Sequence, residues 1–272
     1  MASPSLLQRF TQEAGGAYVD EAGVAVDVEF IDVVDVADVD AVVAVAEFEA
    51  ALGEPFAKVL RYGAVDDDNF AIVSVATADA SAVCRAHRPP VGVAVRLAQQ
   101  CLWGANVLED ARAAGGPSPR LGLALVAEAG VTTRGIVLRR PLARPPQRAR
   151  LRPKLHLLSP EAVRRGRDVG PASHQFTIAS VLAEWISGQR TFVGDSEFAI
   201  LEMMRFATPH PPLRDRIDDD ALFDVVARMF AADPADRFGS CGEASAALQP
   251  FAADDDAVAR FLAPHVGGPA GA

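Results

Sequence analysis

The chain has 272 residues, half of them apolar and 23% charged, with a formal net charge of −10. This composition supplies one large core or two fused lobes and excludes a disordered chain. The acidic balance argues against a general nucleic-acid binder, which needs a basic face.

Residues 1–20 read as a short leader with a helical turn at LLQRF. Val24 to Val34 alternates and is rich in β-branched residues, which predicts a strand. Asp38 to Leu52 reads as a helix: Asp38 or Asp40 can cap it, and Gly53 follows its end. Ala57 to Tyr62 and Phe70 to Val75 read as strands around the turn Val65-Asp66-Asp67-Asp68-Asn69. Val91 to Ala114 reads as a long amphipathic helix, started by Arg88-Pro89-Pro90 and stopped by Gly115-Gly116-Pro117. Leu121 to Val126 and Gly135 to Arg139 are short apolar segments, strands or buried loop. Arg140 to Lys154 is rich in Pro and Arg and irregular. From Ser159 onward the pattern is helical, broken by Pro-containing loops, and there are no internal repeats. Asp218-Asp219-Asp220 and Asp254-Asp255-Asp256 read as capping and solvation of the helices that follow. Trp103 and Trp185 have apolar neighbours at helical spacing and read as core.

Cys84, Cys101 and Cys241 stand far apart, with no CxxC pair and no His at metal-ligand spacing, so they read as small buried or half-buried thiols in a reducing compartment. No apolar run reaches the ~18 residues of a membrane span. The N-terminus has no basic region followed by a long apolar core, so the expectation is a cytoplasmic protein.

The stretch from Leu157 to Leu248 carries a resemblance. Ser159-Pro160-Glu161, the helix FTIASVLAEWISG from Phe176 to Gly188, and Asp233-Pro234-Ala235-Asp236-Arg237-Phe238 together resemble the C-terminal lobe of bacterial, eukaryotic-type serine/threonine protein kinases. A weaker match, FAKVLRYGAVDDDNFAIVSVA, resembles a segment of their N-terminal lobe. The resemblance implies an α+β, two-lobed kinase-like fold with a small strand-rich N-lobe over residues 1–76, a mostly helical C-lobe over 77–262, and a tail over 263–272. In the family, the Glu and Arg at the positions of Glu161 and Arg237 form a buried ion pair, so the resemblance implies a structural pair here. The Asp that opens the family's central helix and braces its catalytic loop falls at His174, which reads as an exposed or capping His.

Phosphoryl transfer needs a cation for the phosphates, carboxylate and amide ligands for Mg²⁺, and a carboxylate to accept the hydroxyl proton. The family's Val-Ala-Ile-Lys strand is matched by Val24-Ala25-Val26-Asp27, so an acid stands in the place of the phosphate-binding Lys. Between Arg9 and Lys58 there is no Lys or Arg, while twelve acidic residues fall in that stretch, which argues against ATP binding. The Gly-rich loop is reduced to Gly15-Gly16. The catalytic Asp falls near Leu123 and the metal-binding Asn near Glu128, and no Asp lies between Asp110 and Asp168. Glu128 alone could hold a cation, or is simply a solvated loop acid.

From Ala129 to Pro160 there is no acidic residue, whereas Arg134, Arg139, Arg140, Arg144, Arg148, Arg150, Arg152 and Lys154 all fall there. Three readings stand: the segment matches the chain's own acidic lobe or is solvated, it docks an acidic protein partner, or it touches nucleic acid. The scarcity of aromatics weakens the last. The sequence expectation is a catalytically inactive pseudokinase that needs no cofactor and serves as a protein-binding scaffold or regulator. A nucleotide-binding switch and an enzyme with rewired chemistry on the same fold are the alternatives.

Overall fold

The structure, a computed structural model, describes residues 6, 10–12, 18–32, 36–66, 69–115, 129–139, 155–165 and 170–266. The architecture is mixed α+β, strand-rich in its N-terminal part and helix-rich in its C-terminal part.

The first part holds β1 (Thr11–Gln12), β2 (Tyr18–Val19), β3 (Ala25–Asp32), α1 (Val36–Ala51), β4 (Val59–Ala64) and β5 (Asn69–Val75). The strands form one antiparallel sheet in the order β1-β2-β3-β5-β4. The β4–β5 turn is closed by Asn69, whose side-chain amide donates to Asp66 Oδ1 at 2.8 Å. Pairing of β3 with β5 runs from Val26 opposite Val75 to Asp32 opposite Asn69. Because side chains alternate along a strand, Asp27, Glu29 and Ile31 share one face with Ser74, Ile72 and Phe70. On that face Ile31, Phe70 and Ile72 pack with Val42 and Ala46 of α1 into a small apolar cluster. The helix begins at Val36, so Asp38 and Asp40 fall inside it rather than capping it.

The second part begins with β6 (Ala78–Asp79), α2 (Ala80–His87) and α3 (Val91–Ala113). Next come β7 (Ala129–Thr132) and β8 (Gly135–Leu138), which complete a three-stranded sheet in the order β6-β7-β8. Then follow α4 (Pro160–Arg165), α5 (Pro171–Ser187), α6 (Glu197–Arg205), α7 (Asp220–Met229), α8 (Cys241–Leu248) and α9 (Asp255–Leu262). Short polar residues start these helices: Ser196, Asp219, Ser240 and Asp254 each accept a backbone N–H from the first turn.

Helix α5 is the axis of this part. Every residue from Ser173 to Trp185 is buried, the pattern of a helix enclosed on all sides. Its polar side chains therefore need protein partners. Thr177 donates to Leu157 O at 2.9 Å, and Gln175 both donates to Phe238 O and accepts from Phe238 N. Glu184 accepts from Thr191 N at 3.0 Å. Phe176 stacks on Phe230 with ring centroids 4.4 Å apart, and Phe192 joins them. The helix stops at Gly188, which sits in the left-handed region at φ 73° and donates back to Glu184 O.

The two parts share one core. Val45 of α1 and Phe56 pack into the same cluster as α3 and α5. Backbone bonds from Ala57 N to Leu138 O and from Leu138 N to Pro55 O stitch the chain before β4 to β8. Where Thr77 leaves the first sheet it lies against Gly130 of β7; a Cβ built there would overlap the Thr77 hydroxyl. Gly130→Ala is expected to lower stability by about 1–3 kcal/mol, the usual cost of overpacking, as read from urea unfolding. An unchanged midpoint would show that the junction yields.

Candidate functional site

A cavity of about 460 Å³ lies between the first sheet and the exit of β8. Its walls include Tyr18, Val26, Val28 and Phe30 from the strands, Ala76 and Thr77 from the connection, and Asp27 and Arg139. Asp27 stands opposite Ser74, one residue before β5 ends. Arg139 is the first residue after β8. Arg139 Nη1 and Asp27 Oδ2 are 4.0 Å apart, with about a fifth to a quarter of each side chain exposed (20% and 26%). The Asp27 carboxylate thus offsets part of the Arg139 charge in this wall. Among the described residues, no group of three or more His, Cys, Asp or Glu is placed to hold a metal ion.

About α5 lies a second constellation. The guanidinium of Arg237, with none of its side chain exposed, makes a bidentate pair with Glu161: Nη1 to Oε1 at 2.9 Å and Nη2 to Oε2 at 3.0 Å. Nη1 also donates to Ala172 O and Nε to Ala231 O, so four acceptors meet one cation. Ser173 Oγ donates to Glu161, and the guanidinium lies 5.1 Å from the centroid of the Phe176 ring. A buried ion pair is tolerated only with such complete hydrogen bonding. The pair fastens α4 and the start of α5 to the turn before α8.

His174 is neither exposed nor a cap. It is the fourth residue of α5, 1% exposed, and the cap is Gly170. Its Nε2 lies 3.2 Å from Glu109 Oε1 on α3, while Nδ1 has no partner among the described residues. The site therefore joins α5 to α3.

Other expectations fall differently. Leu123, Glu128, Gly15-Gly16, Arg140, Arg144, Arg148, Arg150 and Arg152 lie outside the described residues. Arg134 and Arg139 do not form one patch: they stand at opposite ends of β8, about 16 Å apart at the usual rise per residue. Arg134 is exposed in the β7–β8 turn and pairs with Glu54 at 2.8 Å. Trp185 is core, but Trp103 is 51% exposed, which corrects its reading as core. Two features had no sequence signal. One is the Asp27–Arg139 approach between residues far apart in the chain. The other is Arg216, a buried cation whose guanidinium donates to Ser187 Oγ and to the carbonyls of Gln189, Arg190 and Pro211. Among the described residues, no helix is long and apolar enough to cross a membrane.

No protein-family model matches the chain, and no curated protein sequence matches it.

Burial alone would raise the Glu161 pKa, but hydrogen bonds from Arg237 and Ser173 and the guanidinium charge prevail and hold it below the ordinary carboxylate value. A depressed folded-state pKa stabilises the fold above the unfolded value of about 4.3, and this contribution is lost as pH falls through the folded value. Glu161→Gln is therefore expected to cost about 3–5 kcal/mol at neutral pH, because Arg237 is left buried without its counter-charge. The variant should also lose less stability than the wild type on going from pH 7 to pH 3. Urea unfolding at both pH values checks this; equal acid sensitivity would contradict it.

Proposed function

We propose that this chain is a degenerate, protein kinase-like domain that performs no phosphoryl transfer and acts as a protein-binding scaffold or regulator. The observation that carries this reading is the Asp27–Arg139 approach in the cavity between the two parts. An acid holds the position at which the resemblance expects a phosphate-binding cation.

Two further observations support the reading. A strand-rich part with a single helix between its third and fourth strands precedes a helix-rich part, the layout of a kinase domain. Glu161 and Arg237 form the bidentate pair that the resemblance assigns to them. In this reading the partner is an acidic protein surface, received by the basic segment beyond β8. Arg139 is engaged with Asp27 and Arg134 with Glu54. The docking role therefore falls to Arg140, Arg144, Arg148, Arg150 and Arg152.

Titration with millimolar ATP, with and without Mg²⁺, is expected to leave the melting temperature unchanged. A saturable rise would overturn the non-catalytic reading in favour of a nucleotide switch or a rewired enzyme. Replacing Arg140, Arg144 and Arg148 together by Glu is expected to abolish capture of a protein held by the intact chain. Retention of that protein would remove the basic segment from the docking surface.

A further inference from the structure

Helix α9 ends at Leu262, and the chain then turns back: His265 N donates to Leu262 O at 2.8 Å. Val266, the next residue, packs against the main core. This turn meets the last residue of α2. The rings of His265 and His87 lie face to face, with centroids 3.7 Å apart and planes 13° from parallel. Phe261, in the last turn of α9, closes the cluster edge-on to His265 at 5.4 Å. His87 is exposed and His265 half-buried, so protons reach both rings.

A stack of two imidazoles has two regimes. A neutral ring can lie on a neutral or a protonated one, since an aromatic face attracts a cation. Two protonated rings held this close repel. Imidazole is the side chain whose ordinary pKa, about 6.5, puts the change between the regimes near neutrality.

A carboxylate beside the pair would relieve the repulsion. Neither ring makes a side-chain hydrogen bond or an ion pair among the described residues. On α2, Asp79 caps the far end of the helix. Arg85 acts on Glu184 near the end of α5, and Arg88 Nη2 donates there to Ile186 O at 3.4 Å. On α9, Asp254 caps the first turn, Asp255 pairs with Arg96 of α3 at 2.9 Å, and Asp256 shares that turn, at the other end from His265. Arg260 is exposed. The charges nearest the pair along the chain are therefore cations, Arg88 and Arg260. Desolvation, and after it the charge of His87, hold His265 below the ordinary imidazole value. A ring that gains its proton more readily once detached makes a fall in pH favour detachment.

We infer that His87 and His265 form a pH-operated latch: the turn after α9 stays on α2 while at most one ring is protonated and is released when both are. Release withdraws Val266 from the core. The latch shares no residue with the cavity beside Asp27 and does not depend on the proposed function.

The five histidines of the full chain are followed by NMR from pH 8 to pH 5 in the wild type, His87→Phe and His265→Phe. Each substitution keeps an aromatic ring in the stack and removes one site of protonation. His265 is expected to titrate at lower pH in the wild type than in His87→Phe. Amide exchange is read at positions 263 and 265, whose N–H groups donate to Ala259 O and Leu262 O. Corrected for the intrinsic effect of pH, it is expected to rise about fivefold between pH 7 and pH 5 in the wild type, the scale of one charge contact in water, and to stay level in both variants. Identical titration of His265 in the wild type and in His87→Phe overturns the inference. So does wild-type exchange that is equal at the two pH values, or an acid-induced rise that persists in His265→Phe.

Discussion

The C-terminal part of the molecule hangs on one buried cation. Arg237 meets both oxygens of the Glu161 carboxylate, two backbone carbonyls and an aromatic face, drawn from α4, the start of α5 and the loop after α7. The pair joins residues 76 apart, so it constrains global rather than local structure. Once Glu161, Ala172 and Ala231 converge on the guanidinium, the start of α5 and the turn before α8 have no freedom left. The enclosed helix α5, the Phe176–Phe192–Phe230 stack and the docking of α4 are arranged around that convergence. During synthesis at about 5–20 residues per second, Glu161 would wait roughly 4–15 s for its partner to be made. Final packing of this part is therefore a late event.

The elements most readable from sequence are those whose ends carry their own chemistry. Helix α3 lies between Pro89-Pro90 and Gly115 and runs from Val91 to Ala113, close to the predicted span. Helices α7 and α9 follow Asp219 and Asp254, which cap them. Most of the missed elements lack such marks or are too short to show them. β1 and β2 have two residues each, too few to show alternation. β7 contains Gly130, a residue that weakens a strand pattern and is needed here because Thr77 presses against it. α2 has only eight residues, few of them large and apolar, although Asp79 caps it and Ala80 and Cys84 form a buried face. Trp103 was misread for a different reason: helical spacing identifies a face but not whether another element covers it. His174 was misread because a polar residue in an apolar helix looks like a cap until Glu109, on another helix, is brought to it.

The charge segregation visible along the chain is partly resolved in three dimensions. Arg139 and Arg134, the described members of the basic segment's start, reach Asp27 and Glu54, both from the acidic first part. Each contact ties the β7–β8 hairpin to the strand-rich part. Opposite charges separated in sequence thus meet at the junction of the two parts. The exposed Arg134–Glu54 pair contributes little energy on its own. It sits instead at the rim between two cavities around Trp103.

All three cysteines are sealed in the core. Burial pushes Cys84 and Cys241 up to about 12 and moves Cys101 in the same direction. A thiol that neither ionises nor meets solvent cannot be oxidised or exchange disulfides. The three thiols of the folded chain are therefore shielded, while any unfolded fraction exposes three cysteines that can ionise and react. In an oxidising medium, transient opening would be converted into permanent cross-linking, and the molecule's lifetime there would be set by how often it opens rather than by how firmly it is held on average.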